Sequence, residues 1–149
     1  MKPFLLDVNV LVALFDPAHV NHGAAHRWFR ASGSRAWATS PITENGFVRV
    51  VSHPGYPSVE LRTAEAIRLL KDFTGSHPGH RFWNDSISIT DSGVFNSSIV
   101  VRSSQVTDVY LLGLAAKNAG RLATFDRGIS TEAIRDCPKD LIEHISASH

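Results

Sequence analysis

The sequence lacks the usual features of secreted and membrane proteins. Cys137 is the only cysteine in 149 residues, so no disulfide can form within the chain. No apolar run approaches the ~20 residues needed to cross a membrane. The N-terminal run "FLLDVNVLVALF" is interrupted by Asp7 and Asn9 and is not followed by a small-residue cleavage site, so it does not match a signal peptide. We therefore expect a soluble, cytoplasmic protein.

A strong excess of one charge is also absent, because the net charge is only +1. What is present is enough apolar material for one core, since 43% of the residues are hydrophobic. Charged residues make up 19% and both signs are interspersed, which is typical of a globular chain. The sequence therefore predicts a single domain that spans residues 1–149.

Short apolar segments alternate with segments of helical periodicity along the chain. The predicted strands are "PFLL", "RAWAT", "HRFW", "RLATF" and, at the end, "LIEHI". Helical spacing or helix-starting signals mark the intervening segments, with Ser40, Ser58 and Thr107 as candidate N-caps. Strands that alternate with helices predict an α/β fold, a three-layer α/β/α sandwich with a mainly parallel sheet. The region from Ser86 to Gln105 is predicted to be a weak helix or a long loop.

Four acidic residues occupy corresponding places in this pattern. Asp7 and Asp126 follow predicted strands, and Glu44 and Asp108 fall in the first turns of predicted helices. Each carboxylate alone could simply cap a helix or interact with its dipole. Because ligands of parallel sheets bind at the carboxyl ends of the strands, all four can share that edge. Capping alone gives no reason for such convergence.

Carboxylates that share one edge require a compensating positive charge. Two like charges ~4 Å apart repel by ~4 kcal/mol at an effective dielectric of 20. Oxygen ligands without cysteine or histidine favour Mg²⁺ or Mn²⁺ over Zn²⁺. Such ions bind phosphate oxygens and activate water for in-line attack. The acidic set therefore predicts phosphodiester hydrolysis.

Four blocks of the sequence resemble those of PIN-domain proteins, especially the VapC toxins of bacterial toxin–antitoxin pairs. The blocks are "FLLDVNVLVALF", "SPITENGFVRVV", "HRFW" and "QVTDVYLLGLAAKNAGRLATFDRGI", in that order. The resemblance implies a PIN-like fold and an endoribonuclease, the toxin of a type II pair, that cleaves RNA with water activated by Mg²⁺ or Mn²⁺. It assigns the metal-binding and catalytic roles to Asp7, Glu44, Asp108 and Asp126.

The same resemblance implies partners and two further site residues. The expected partners are an RNA substrate, a cognate VapB-like antitoxin and a second copy of the chain in a homodimer. Thr124 resembles a small polar position of the family and is expected to orient a water. Asn9 replaces the Ser or Thr of many members, so its amide can hydrogen-bond but cannot act as an acid or base. We expect apolar dimer contacts from Trp28, Phe29, Val48 or Val51.

Two other functions remain open on the residues alone. "FLLDVNVL" also resembles the nucleophile motif of phosphohydrolases of the haloacid-dehalogenase type, although Asn9 stands where their second aspartate would be. The chain could also be a non-catalytic module that binds RNA or protein. Smaller features have mixed interpretations: His19, His22 and His26 could bind a metal or pack, and exposed arginines could contact RNA, namely Arg49, Arg81, Arg102 and Arg127.

Overall fold

The fold is built on a parallel sheet. The computed structural model describes residues 1–99 and 102–146. The strands are β1 (Phe4–Leu6), β2 (Trp37–Thr39), β3 (His80–Phe82), β4 (Arg121–Thr124) and β5 (Ile142–His144). Their order is β3-β2-β1-β4-β5 and each neighbouring pair is parallel. The expected parallel sheet is confirmed. The single domain over residues 1–149 stays a prediction, since residues 100, 101 and 147–149 lie outside the described residues.

In the described part of the chain, five α-helices surround this sheet: α1 (Val8–Phe15), α2 (His22–Ala31), α3 (Pro41–Val51), α4 (Thr63–Gly75) and α5 (Val106–Lys117). Short 3-10 helices lie at Gly33–Arg35 and Ser103–Gln105. In residues 1–99 and 102–146, no helix combines the length and apolar character needed to span a membrane.

Side chains of β1 point alternately into two apolar layers, as the period of a strand requires. Phe4 and Leu6 pack with α1, α2, α3 and α4, whereas Leu5 packs with α5 on the opposite face. Each fully buried leucine contributes about 2 kcal/mol of burial free energy. Both faces of the sheet are therefore covered, which confirms the three-layer α/β/α arrangement.

The N-terminus of α3 matches its prediction. Ser40 is the N-cap and Pro41 occupies the first turn. The backbone N–H of Ser40 donates to Thr43 Oγ1 at 2.9 Å, and the N–H of Thr43 donates to Ser40 Oγ at 3.4 Å. These reciprocal bonds satisfy two backbone donors at the helix start and fix the first turn of α3, which carries Glu44.

Two other predicted helix starts are wrong. The helix α4 begins at Thr63, because Ser58 hydrogen-bonds to Asp16 and Tyr56 instead of capping a helix. The helix α5 begins at Val106, directly after the second 3-10 helix, so Thr107 lies inside it. In both cases the observed helix start depends on neighbouring structure that the local sequence pattern does not indicate.

The predicted histidine face packs against the end of α1. A ring N–H of His22 donates to the carbonyl oxygen of Ala13 at 2.7 Å, and one of His26 donates to that of Leu14 at 2.8 Å. His19 Nδ1 accepts from a backbone N–H. These bonds satisfy carbonyls that the helix leaves unpaired. The packing interpretation is confirmed for His22 and His26.

The candidate apolar dimer residues are largely used by the core. Phe29 and Val51 are buried, and Trp28 and Val48 pack partly buried against the same layer. The expectation that they form an exposed surface is wrong for Phe29 and Val51, because α2 and α3 direct them toward the sheet and α1.

The chain reverses its direction of travel across the sheet between β1 and β4. It passes from β1 to β2 and β3 on one side, and then returns to β4 and β5 on the other. Connections therefore leave the neighbouring carboxyl ends of β1 and β4 in opposite directions and open a crevice there.

Candidate active site

Asp7 lies directly after β1 and caps α1. Its Oδ1 accepts from the backbone N–H of Val8 at 2.8 Å, and its Oδ2 accepts from the Thr124 hydroxyl at 2.7 Å. The residue is only 7% exposed. Burial raises the pKa of Asp7 and the nearby Asp126 adds to this, so the pKa stays above its ordinary value despite both hydrogen bonds. The folded protein thus holds this carboxylate at an electrostatic cost.

Thr124, the last residue of β4, connects the two strand ends. Its buried hydroxyl donates to Asp7, and the same oxygen accepts from the backbone N–H of Asp126 at 3.0 Å and from Asn9 Nδ2 at 3.4 Å. The amide oxygen of Asn9 also accepts from the N–H of Phe125 at 3.4 Å. Thr124 and Asn9 therefore fix Asp7 relative to the segment that carries Asp126.

Asp108 extends from the first turn of α5 toward the same crevice. Burial, together with the negative charges of Asp7 and Asp126, raises the pKa of Asp108 to about 6. Like charges can have this effect only if the carboxylates are near one another. Asp7, Asp108 and Asp126 therefore lie within electrostatic reach of one another.

Asp126 lies in the exposed turn after β4, two residues beyond the strand. Its Oδ1 accepts from the backbone N–H of Gly128 at 2.8 Å, which holds the turn. Asp126 therefore stabilises a turn, and this role leaves its second carboxylate oxygen open to other contacts. The charge of Asp126 reaches both Asp7 and Asp108, as their raised pKa values show.

Glu44 lies at the carboxyl end of β2, the strand on the other side of β1. Its Oε2 accepts from the Thr39 hydroxyl at 2.7 Å. The Glu44 carboxylate therefore contacts the end of β2, the strand that pairs with β1. Thr39 was not predicted from the sequence, although it precedes the capped helix as Thr124 precedes Asp126.

A cavity of about 80 Å³ opens beside Asp108. Gln105, Ser130 and Glu132 contribute polar groups to its wall, together with apolar side chains that include Ile129. None of these polar residues was predicted as a site residue from the sequence. These polar groups line the cavity next to the Asp108 carboxylate and can contact a ligand that binds in it.

The chemistry of the carboxylates fits a hard divalent cation. All four predicted ligands offer oxygen atoms, and burial, with a smaller contribution from neighbouring negative charge, raises the pKa of Asp7 and Asp108. Within residues 1–99 and 102–146, however, no three His, Cys, Asp or Glu side chains are drawn together tightly enough to form a ligand group. The carboxylates are close enough to interact electrostatically, and side-chain rotation would have to complete a ligand set.

Comparisons with known proteins give a consistent result. No family model matches the chain. It is 47% identical to ribonuclease VapC44 of Mycobacterium tuberculosis over 135 residues. This alignment covers 91% of this chain and 94% of that protein. Ribonuclease VapC39 of the same organism is 44% identical over 129 residues, 87% of this chain and 92% of the relative. Ribonuclease VapC38 is 42% identical over 139 residues, 93% and 95% of the two chains.

A solved structure shares the fold. The crystal structure of M. tuberculosis VapC20, described as a toxin that cleaves the sarcin–ricin loop, aligns with a TM-score of 0.58 over 82% of this chain and 87% of that one. The sequence identity is 11%, so this likeness concerns the fold alone.

Proposed function

Because the chain belongs to the VapC family of ribonucleases, we propose that it is an endoribonuclease that requires Mg²⁺ or Mn²⁺ and acts as the toxin of a type II toxin–antitoxin pair. One observation carries the metal dependence. Asp108 has its pKa raised to about 6 by burial and by the charges of Asp7 and Asp126. A binding site that accumulates negative charge in this way favours a cation.

We assign the metal ligands to Asp7, Glu44, Asp108 and Asp126. Asp7 is held on one oxygen by the start of α1 and on the other by Thr124, so its carboxylate has little freedom. Glu44 is held by Thr39 in the same manner. A bound Mg²⁺ or Mn²⁺ would supply charge neutralisation at the phosphate and a lower pKa for the attacking water.

The remaining site residues position these carboxylates. Thr124 donates its only hydroxyl proton to Asp7, so in this arrangement it orients the Asp7 carboxylate rather than a water. Asn9 hydrogen-bonds the end of β4 and keeps Thr124 beside Asp7. Preorganised ligands of this kind place a phosphodiester in line with the attacking water at a small entropic cost.

The proposed substrate is unpaired RNA. A pocket at the edge of a sheet can accept a phosphodiester only if the strand bends into the crevice, which a regular duplex resists. RNA loops also present unstacked bases for selection. Arg127 follows Asp126 directly, and Arg102 precedes the 3-10 helix that leads to α5; both are exposed and are proposed to contact phosphates.

The partners form part of the same proposal. A VapB-like antitoxin would cover the acidic crevice, with a basic side chain in place of the cation's charge. A homodimer is proposed with it, and in the described residues α4 exposes Ile67 and Leu69, which are 55% and 40% accessible. Light scattering at micromolar concentration tests the dimer, and a strict monomer both alone and with antitoxin would refute it. We propose that the protein acts in the cytoplasm.

The function is tested by incubating the purified protein with structured RNA and with matched duplex DNA. We expect RNA to be cut at unpaired positions, cleavage to stop with EDTA and to return with Mn²⁺. Asp7→Asn is the matched inactive variant, since asparagine is an equally good N-cap for α1. Cleavage that resists EDTA, or equal cleavage by Asp7→Asn, would contradict the proposal.

The two other functions make different predictions in the same experiment. A non-catalytic binding module would retain RNA without cutting it at any Mn²⁺ concentration. A phosphohydrolase would release phosphate from a small phosphomonoester. Neither has support in the structure, and in particular the Asn9 amide is engaged with the end of β4 and provides no acid.

A further inference from the structure

A chain of three side chains crosses from β3 to the site carboxylate on α3. The Thr39 hydroxyl lies 2.7 Å from Glu44 Oε2 and 2.8 Å from His80 Nε2. Thr39 is fully buried, and the other two are partly buried. The chain spans two adjacent strands and ends on a residue that the proposed function places in the metal site.

The direction of these hydrogen bonds follows from the number of protons. A threonine hydroxyl has one proton, and an ionised carboxylate can only accept, so Thr39 donates to Glu44. The Thr39 oxygen must then accept from His80, which means that the proton on the ring is at Nε2. The chain therefore runs from His80 to Thr39 to Glu44, and each donor fixes the orientation of the next group.

The sheet explains why His80 can reach Thr39. In the parallel register of β2 and β3, His80 pairs with Trp37, two residues before Thr39 and on the same face of β2. The His80 ring packs on the indole of Trp37 with 4.7 Å between centroids. Trp37 is itself fully buried among Phe29 and Phe73. The imidazole is thus held in place by a rigid aromatic layer.

We propose that His80 and Thr39 are positioning residues that hold the Glu44 carboxylate in its metal-binding orientation. This inference rests on the proposed function, because it takes Glu44 to be a ligand. The same arrangement occurs on both sides of β1: the buried Thr39 at the end of β2 donates to Glu44, as the buried Thr124 at the end of β4 donates to Asp7.

The test measures Mn²⁺ affinity by isothermal titration calorimetry and RNA cleavage with the same preparations. Thr39→Val removes the hydroxyl at nearly constant volume, and Thr39→Ser restores it. Loss of a group that orients a metal ligand typically lowers metal affinity by about 10- to 100-fold. We expect this loss in Thr39→Val and in His80→Phe, and near-native affinity in Thr39→Ser.

His77→Phe is the matched control for His80→Phe. His77 belongs to the same aromatic layer and contacts Trp37 and Phe73, but its ring nitrogen bonds the carbonyl of Phe73 and the adjacent Ser76 hydroxyl. Its substitution should leave Mn²⁺ affinity unchanged. Thermal unfolding of each variant checks folding, and if His80→Phe fails to fold it is replaced by His80→Leu, which likewise removes the donor to Thr39.

The outcomes separate this inference from the proposed function. If wild type binds Mn²⁺ and cleaves RNA while Thr39→Val and His80→Phe match it, the positioning role is refuted and the function stands. If Thr39→Ser loses as much affinity as Thr39→Val, packing rather than the hydroxyl is responsible, and the role is again refuted. If wild type binds no Mn²⁺, the proposed function fails and this inference fails with it.

Discussion

Two buried aspartates lie at opposite ends of the same eight-residue helix, and their surroundings differ sharply. Asp7 precedes α1 and Asp16 follows it, with exposures of 7% and 2%. Burial favours a raised pKa for both. The pKa of Asp7 is indeed raised, whereas that of Asp16 is lowered.

The difference comes from what each carboxylate contacts. Asp16 accepts from the Tyr56 hydroxyl at 2.6 Å and from the Ala18 N–H at 2.9 Å, and Ser58 and the charge of His19 add to this. Together these partners outweigh the effect of burial. Asp7 has two donors and also a like charge beside it. A buried carboxylate with sufficient donors stabilises the fold, whereas the proposed function assigns cation binding to the one that lies beside a like charge.

The largest expected effect is on catalysis by Asp7→Asn. Electrostatic stabilisation by a catalytic metal is worth several kcal/mol, so loss of a ligand should lower the cleavage rate by about a thousandfold or more. Stability should be unchanged or higher, because asparagine still caps α1 and the like-charge repulsion is relieved. Single-turnover RNA cleavage and thermal unfolding measure the two effects. A variant that unfolds at room temperature would show that Asp7 is structural.

Asp16→Asn should show the reverse behaviour. It replaces an ionised acceptor of several hydrogen bonds with a neutral one, and such bonds contribute about 1.5–3 kcal/mol each. We expect a loss of about 2 kcal/mol in the free energy of unfolding, or roughly 5 °C in Tm for a chain of this size. Cleavage per folded molecule should stay near wild type. A catalytic loss as large as that of Asp7→Asn would remove the distinction between the two ends of α1.

These two aspartates also show what the sequence could and could not predict. The strand and helix order, the Ser40 cap and the shared edge of the acidic residues follow from local periodicity and from the rules of parallel sheets. Asp16 lies in the segment "FDP", which locally indicates only a turn. Its hydrogen bond from Tyr56 could not be predicted from this segment, because Tyr56 is 40 residues away in the sequence. The contact of His80 with Thr39 is equally remote, at 41 residues. Side-chain partners across strands have no local signal.

A smaller effect is expected from Asp108→Asn in the metal-free protein. The pKa of Asp108 in the folded state is about 6, above the ordinary value of 3.8. The ionised carboxylate therefore destabilises the folded state at neutral pH. Since one pKa unit corresponds to 1.36 kcal/mol and this group is partly exposed, we expect a gain of about 1 kcal/mol at pH 7.5 in EDTA. Urea unfolding measures it, and a loss of stability would contradict the crowding of the carboxylates.

The smallest expected effect, which gives the sharpest comparison, is the pH dependence of the stability changes caused by Asp108→Asn and Asp16→Asn. A raised pKa gives a stability that is present below 3.8 and is lost as the pH rises through about 6, so the gain from Asp108→Asn should fade between pH 7.5 and 4.5. The lowered pKa of Asp16 gives a stability that persists above 3.8, so the loss from Asp16→Asn should remain over that range. Urea unfolding at both pH values checks this, and parallel changes in the two variants would disagree with it.

The most direct measurement is calorimetric titration of Mn²⁺ into wild type, Asp108→Asn and Asp16→Asn at pH 7.5. The account predicts saturable binding to wild type, binding of similar affinity to Asp16→Asn, and a loss of most or all binding in Asp108→Asn. It would be contradicted if wild type bound no Mn²⁺, or if folded Asp108→Asn bound the ion as tightly as wild type.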